Sequence, residues 1–194
     1  MRRVTERRET HETRGTVTLD LDGSGTSRVS TGIGFLDHML RTLARHAGFD
    51  LVLALEGDLA VDDHHSAEDA AILLGRSLRR ALGDGAGITR FGWALVPLDE
   101  SLARVAVDLS GRPVPVVALG CRRERVGGLA TENAEHFFRT LAQETRMALH
   151  VDLLRGDNDH HRIEAAFKAL ARALRQAVTQ TGQTAIPSEK GSLS

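Results

Sequence analysis

One motif, present twice, constrains this chain more than any other feature. A lone histidine, His38, is followed by His64, His65 and Glu68. His136 is followed at nearly the same spacing by His160, His161 and Glu164. Six of the nine histidines fall in these two copies, each with its own carboxylate. A fold that accommodates this pattern has two related halves and brings imidazoles and carboxylates together, as a metal centre does.

The surrounding sequence repeats as well. FLDHMLRTLA (35–44) aligns with NAEHFFRTLA (133–142), and DHHSAEDAAILLGRSLRRAL (63–82) with DHHRIEAAFKALARALRQAV (159–178). The apolar, strand-like segments FDLVLALEGD (49–58) and MALHVDLLRGD (147–157) correspond between them. A unit of about 90–100 residues is too long for a solenoid repeat and reads as internal duplication. The glycine-rich stretch Gly83-Asp84-Gly85-Ala86-Gly87 marks the join. The chain divides into a first half-domain at 1–86 and a second at 87–194, the latter with a C-terminal tail, forming one catalytic domain.

Each half predicts strands, a helix bearing the lone histidine, a strand, and a longer helix starting at His-His. Thr31, Thr131 and Asn133 offer N-cap oxygens, and Glu132 and Glu135 suit a first turn. Ala71, Leu74, Leu78 and Leu82, like Ala166, Leu170, Leu174 and Val178, recur at helical spacing. Val17, Leu19 and Leu21 alternate as a strand does, as do Phe91, Trp93 and Leu95, and Ala103, Val105 and Val107. Two halves of this kind pack through their helices.

Residues four apart share a helix face, so His64 with Glu68, and His160 with Glu164, can each ligate one ion. His65 and His161 are rotated by about 100° and point elsewhere. A pseudo-twofold axis would group His64, Glu68, His136 and His161 at one ion and His160, Glu164, His38 and His65 at the other. Whether one chain or two supply each set stays open. Imidazole and carboxylate without thiolate suit Mn, Fe, Zn, Co or Ni. Four protein ligands leave two positions on a six-coordinate ion, which favours Mn over a closed Zn site. His11 and His150 lack a matching partner and read as surface or structural residues, and Arg79, Arg80, Arg172 and Arg175 as solvated helix ends.

Composition narrows the function classes. A net charge of −1 argues against a nucleic-acid partner. The lone Cys121 excludes an internal disulfide or a cysteine-rich zinc site. No apolar run is long enough for a membrane span, and the charged N-terminus does not read as a signal peptide, so the expected location is cytoplasmic.

RETHET (8–13), LDGSG (21–25), TGIGFLDHML (31–40), DDHHSAED (62–69), TRFG (89–92), VPLDE (96–100), DLSGRP (108–113), GDNDHHRIEAAFKALARAL (156–174) and PSEKGSL (187–193) stand in one order along the chain. Together they resemble the imidazoleglycerol-phosphate dehydratase family of histidine biosynthesis. The resemblance implies an α+β fold of internally duplicated βα half-domains: two four-stranded sheets with helices sandwiched between them. It implies a hydro-lyase with two Mn²⁺ per active site, and a homo-oligomer, a 24-mer built from trimers with sites at subunit interfaces. It also implies a monofunctional chain without a phosphatase domain. The metal ligands it implies are the eight residues of the repeated motif. Glu12 matches the acid/base carboxylate. Arg90, Arg112, Lys168, Ser188 and Lys190 match phosphate-binding positions, and His46 a substrate contact. Glu189 is less typical, because it sets a negative charge beside a phosphate site.

The implied reaction removes water from a phosphorylated imidazole substrate to give an imidazole-bearing ketone phosphate. The C–H to be broken has no carbonyl beside it, so direct deprotonation would be very slow. Metal at both ring nitrogens favours an imidazolate, whose electrons expel the hydroxyl to give a diazafulvene-like intermediate and acidify the neighbouring C–H. Glu12 is then a proton shuttle. A di-metal phosphoesterase would need bridging aspartates, a ferritin-like bundle the reverse Glu-x-x-His order, and a structural metal protein would not need the cations.

Overall fold

A computed structural model describes residues 2–193. The first half comprises β1 (Arg3–Glu9), β2 (Thr13–Asp20), β3 (Ser27–Ser30), α1 (Gly34–Ala47), β4 (Asp50–Gly57) and α2 (His64–Leu82). The second comprises β5 (Phe91–Leu98), β6 (Ser101–Asp108), β7 (Val114–Ala118), the short hairpin β8 (Arg125–Val126) and β9 (Leu129–Ala130), α3 (Thr131–Thr145), β10 (Ala148–Arg155) and α4 (Asp159–Ala177).

The two four-stranded sheets have the same topology, β1-β2-β4-β3 and β5-β6-β10-β7. In each, the strand before the longer helix runs antiparallel to one neighbour and parallel to the other. Alternation sends Val17, Leu19, Leu51 and Leu53 inward from the first sheet, and Ala103, Val105, Leu149 and Val151 from the second. The duplicated α+β fold expected from the sequence is therefore present, with the helices between the sheets.

The helices pair across the halves. α2 lies on β1 and β2 and crosses α3; α4 lies on β5 and β6 and crosses α1. Small residues permit this close packing. At Gly75 of α2, a Cβ would sit 2.7 Å from Glu144 Cβ and 3.1 Å from the Leu141 carbonyl of α3. α1 stops at Gly48, whose left-handed backbone (φ 77°) lets its N–H reach Ala44 O.

Two sequence expectations about helix starts need correction. Thr131 lies inside α3, not before it, and its hydroxyl donates to Arg123 O at 2.7 Å. Asn133, also inside α3, is turned towards α2 and caps nothing. Thr31 does organise the start of α1, although Ile33 occupies the cap position. Its hydroxyl oxygen accepts the Ile33 N–H at 3.2 Å, and Asp37 accepts the Thr31 N–H at 2.8 Å. On β5 the inward face carries Gly92, Ala94 and Val96, while Phe91, Trp93 and Leu95 face outward.

Candidate metal centre

Crossing of α2 with α3, and of α4 with α1, assembles the repeated motif into two clusters. His64, Glu68 and His136 form one and His38, His160 and Glu164 the other, with the donor atoms of each cluster within 4.8 Å of one another. His136 Nε2 is 2.9 Å from Glu68 Oε1, and the His64 and His136 rings stack at 4.7 Å. In the second cluster Glu164 Oε2 lies 3.0 Å from His160 Nε2 and 3.3 Å from His38 Nε2. Each cluster thus draws one histidine from the opposite half. All six side chains are partly exposed, so an ion held there would be open to solvent. Imidazoles and a carboxylate converging without thiolate fit a divalent first-row transition-metal ion. Cys121 contributes nothing: burial, then the nearby Asp159 charge, pushes its thiol up to about 11.

His65 and His161 lie outside both clusters in a single chain. Each follows its cluster histidine by one residue, which turns it about 100° around the helix. Each is held by a carboxylate of its own. Asp58 lies 3.1 Å from His65 Nδ1, and Glu100 lies 2.8 Å from His161 Nδ1. Hydrogen bonds from the Asn158 N–H and His161 hold the Glu100 carboxyl well below its usual range. A carboxylate only accepts, so Nδ1–H donates to Glu100 and Nε2 of His161, 3.6 Å from Asp99 Oδ2, carries the lone pair a metal would use. The hydrogen bond to Asp58, and the charges of Asp58 and Glu12, raise the His65 imidazole above its ordinary value, as the bond to Glu100 does for His161.

A further relay orients His64. Asp63, which precedes α2 and is 3% exposed, accepts from Asn133 Nδ2 at 3.0 Å and from the Ala130 N–H at 2.7 Å. Burial opposes its ionisation, but these hydrogen bonds and Arg125 outweigh burial and hold its carboxyl below the usual range. With its NH₂ committed to Asp63, Asn133 must present Oδ1 to His64 Nδ1, 2.9 Å away.

The residues expected at the substrate occupy several places. Lys168 Nζ is 2.9 Å from Glu164 Oε1, beside the second cluster. His46 is lowered by burial and then by the charges of Lys168 and Arg172, which places it in that cationic neighbourhood. Arg90 makes a two-pronged pair with Asp108 (2.7 and 3.1 Å) and donates to Pro187 O at 2.8 Å, fastening the tail that carries Ser188 and Lys190. The Ser188 hydroxyl oxygen accepts the Lys190 N–H at 3.3 Å, and Glu189 is exposed. Arg112 is exposed just before β7. Glu12 Oε1 is 3.6 Å from His65 Nε2, at a shallow cleft of about 340 Å³ that Asp58 also lines. His11 and His150 are exposed.

Sequence reasoning missed Asp58 and Glu100 as histidine partners and took Asn133 for a cap. Asp58 follows β4 and Glu100 follows β5. The two do not occupy equivalent places in the repeat, so alignment of the halves could not reveal them.

Residues 31–174 match the family model described as imidazoleglycerol-phosphate dehydratase. A relative of that name from Chlorobium chlorochromatii is 54% identical over 190 residues, covering 98% of this chain and 96% of its own. One from Candida glabrata is 50% identical over 205 residues, covering 96% and 98%. Among solved structures, imidazoleglycerol-phosphate dehydratase from Staphylococcus aureus superposes with a TM-score of 0.82 at 39% identity, covering 92% of this chain and 99% of that one. The structure titled IGPD from Pyrococcus furiosus in complex with (S)-C348 gives 0.83 at 36% identity, covering 97% and 100%.

Proposed function

The chain belongs to the imidazoleglycerol-phosphate dehydratase family, hydro-lyases of histidine biosynthesis, and we propose that it converts D-erythro-imidazoleglycerol phosphate to imidazole acetol phosphate with two Mn²⁺ ions per active site. The observation that carries the metal reading is the pair of His/His/Glu clusters. His64, Glu68 and His136 hold one ion, and His38, His160 and Glu164 the other. His161 and His65 supply the remaining donors to ions of neighbouring copies, a reading supported by the carboxylates that fix their Nδ1–H groups and so leave the lone pair on Nε2. Bound ions supply Lewis acidity that favours the ionised form of the substrate's imidazole.

The chain's own residues do the rest. Once the hydroxyl has left and the ring is diazafulvene-like, Glu12 takes the proton from the carbon next to the one that carried the hydroxyl, and returns a proton to that ring-attached carbon as the enol becomes ketone. Its exposure, and its place beside His65, suit a group that meets substrate at a contact between subunits. Lys168 receives the phosphate beside the second cluster, and His46 contacts the substrate nearby. Arg90 and Arg112, with Ser188 and Lys190 of the tail, complete the anion site; Asp108 holds the Arg90 fork beside the tail, and the lysines offer point charges.

The outward face of the second sheet supports a homo-oligomer. Phe91, Trp93 and Leu95 line its β5 edge and are all 53% exposed or more, and an exposed run of large apolar side chains marks an interaction site. A second copy of this chain covers it, in trimers that build a 24-mer. Residues 1–86 and 87–194 act as two halves of one catalytic domain. No helix among the described residues is long and apolar enough to cross a membrane, and we place the enzyme in the cytoplasm.

Stripping the metal, restoring Mn²⁺ and following ketone formation from imidazoleglycerol phosphate tests this reading. Product that depends on Mn²⁺ is expected. Product formed equally well by the metal-free chain would overturn the metal reading, and no product in either state would overturn the assigned reaction.

A further inference from the structure

We infer that the two metal positions are unequal by construction: the His64/Glu68/His136 position binds a divalent cation more tightly and fills first. This rests on the two-ion reading above. The halves repeat the ligands, but not what stands behind them.

Asn133 lies three residues before His136 on α3; the corresponding residue before His38 on α1 is Phe35. Asn133 Oδ1 is 2.9 Å from His64 Nδ1, whereas the Phe35 ring packs against His160 at 4.9 Å between centroids. The Asp63–Asn133 bond therefore fixes His64 as the Nδ1–H tautomer, with its Nε2 lone pair free for a cation. An aromatic ring can fix the plane of His160 but not which nitrogen carries the proton. The aspartate preceding His160 is also spent differently. Asp159 Oδ2 accepts the N–H groups of Arg122 and Arg123, at 3.0 and 2.7 Å, and makes no such relay.

A second, independent difference lies on the carboxylate. Four residues after Glu164 comes Lys168, whose Nζ is 2.9 Å from Glu164 Oε1. Four residues after Glu68 comes Ile72, which is buried. The second cluster thus carries an ammonium that offsets its one negative charge and competes with a cation for the same oxygens. The first cluster keeps its negative charge whole. Tautomer and charge act in the same direction.

The test uses the full-length, metal-stripped chain, with Mn²⁺ added stepwise. Free Mn²⁺ is followed by EPR, and the occupancy of each position by anomalous scattering from crystals grown at one Mn²⁺ per chain. One equivalent is expected to sit beside Glu68, with an apparent Kd at least about tenfold below that of the second step. N133A should weaken the first step about 10- to 100-fold, the usual effect of losing a group that orients a ligand, and leave the second unchanged. K168M should tighten the second step only. Equal occupancy at one equivalent, first filling beside Glu164, or N133A weakening both steps alike would each overturn the inequality. If N133A does not fold, the wild-type occupancies and K168M decide the question. Absence of Mn²⁺ from both positions would overturn the two-ion reading itself, which equal filling would leave standing.

Discussion

His161 Nδ1 lies 2.8 Å from Glu100 Oε2, while the other carboxylate oxygen of Glu100 accepts the N–H groups of Asn158 at 2.8 Å and Asp157 at 3.1 Å. One side chain at the end of β5 thus fixes both the entry to α4 and the orientation of a histidine outside the two clusters. Glu100 is a positioning residue, acting through His161. E100A is expected to reduce Mn²⁺ affinity about 10- to 100-fold. Metal content after dialysis, read beside helix content by circular dichroism, checks it. Unchanged Mn²⁺ retention in a folded E100A protein would show that His161 needs no such support, or ligates nothing.

The first cluster depends on how closely α2 approaches α3, and Gly75 sets that distance. Alanine there gains about 1 kcal/mol in helix propensity. Against this, its Cβ would press on Glu144 Cβ and the Leu141 carbonyl, and overpacking of this kind costs about 1–3 kcal/mol. Close contact with backbone leaves little room to yield, so the loss should win. G75A is expected to unfold at lower urea than the parent with an unchanged slope. A higher midpoint would mean that the helices separate at almost no cost, and that Gly75 does not set their spacing.

Much of this was legible in the sequence because the duplication wrote it twice. The repeat placed His38 and His136 on one pair of helices and the His-His-x-x-Glu motifs on the other, and i,i+4 spacing chose His64 over His65 as the partner of Glu68. What could not be read was what depends on crossing geometry. Asn133 has the composition of a cap, yet a neighbouring helix places Asp63 within its reach, and that contact decides its role. The hairpin of β8 and β9 has strands of two residues each, too short for periodicity to register. Likewise, Phe91, Trp93 and Leu95 alternate as a strand should, but alternation does not say which face is inward. Their outward position reflects the small inward residues Gly92 and Ala94, which let α4 pack close.

Acid should loosen the first half at Asp50. Its Oδ1 accepts the N–H groups of Ser24 at 2.8 Å and Thr26 at 2.9 Å, holding the turn between β2 and β3. These backbone hydrogen bonds lower its carboxyl below the ordinary value. A carboxyl lowered on folding adds stability that is fully present above its unfolded pKa, about 3.9, and lost as pH falls through the folded one. In D50N this part of the pH dependence is absent. The stability difference between parent and D50N, from urea unfolding of the metal-free chains, should be largest above about pH 5 and shrink as pH falls below about 4. A constant difference across that range would mean that the Asp50 charge contributes nothing to the turn.

Glu12 separates chemistry from assembly. Its Oε1 stands 3.6 Å from His65 Nε2, its own N–H is held by Thr10 Oγ1 at 3.1 Å, and its carbonyl accepts the Asp58 N–H at 3.1 Å. The backbone is therefore tied down, while the carboxylate is exposed. E12Q keeps the size and shape of the side chain and removes only its capacity to take up a proton. Metal content, oligomer size and melting temperature should match the parent. Turnover should fall about 10²- to 10⁴-fold, the usual contribution of a positioned acid/base group, with KM changed far less than kcat. The comparison needs Mn²⁺-saturated protein, so that a lost ion is not mistaken for a lost proton carrier. Normal turnover in E12Q would remove Glu12 from the proton path, and a fall that tracks lost Mn²⁺ would reassign it to the metal centre.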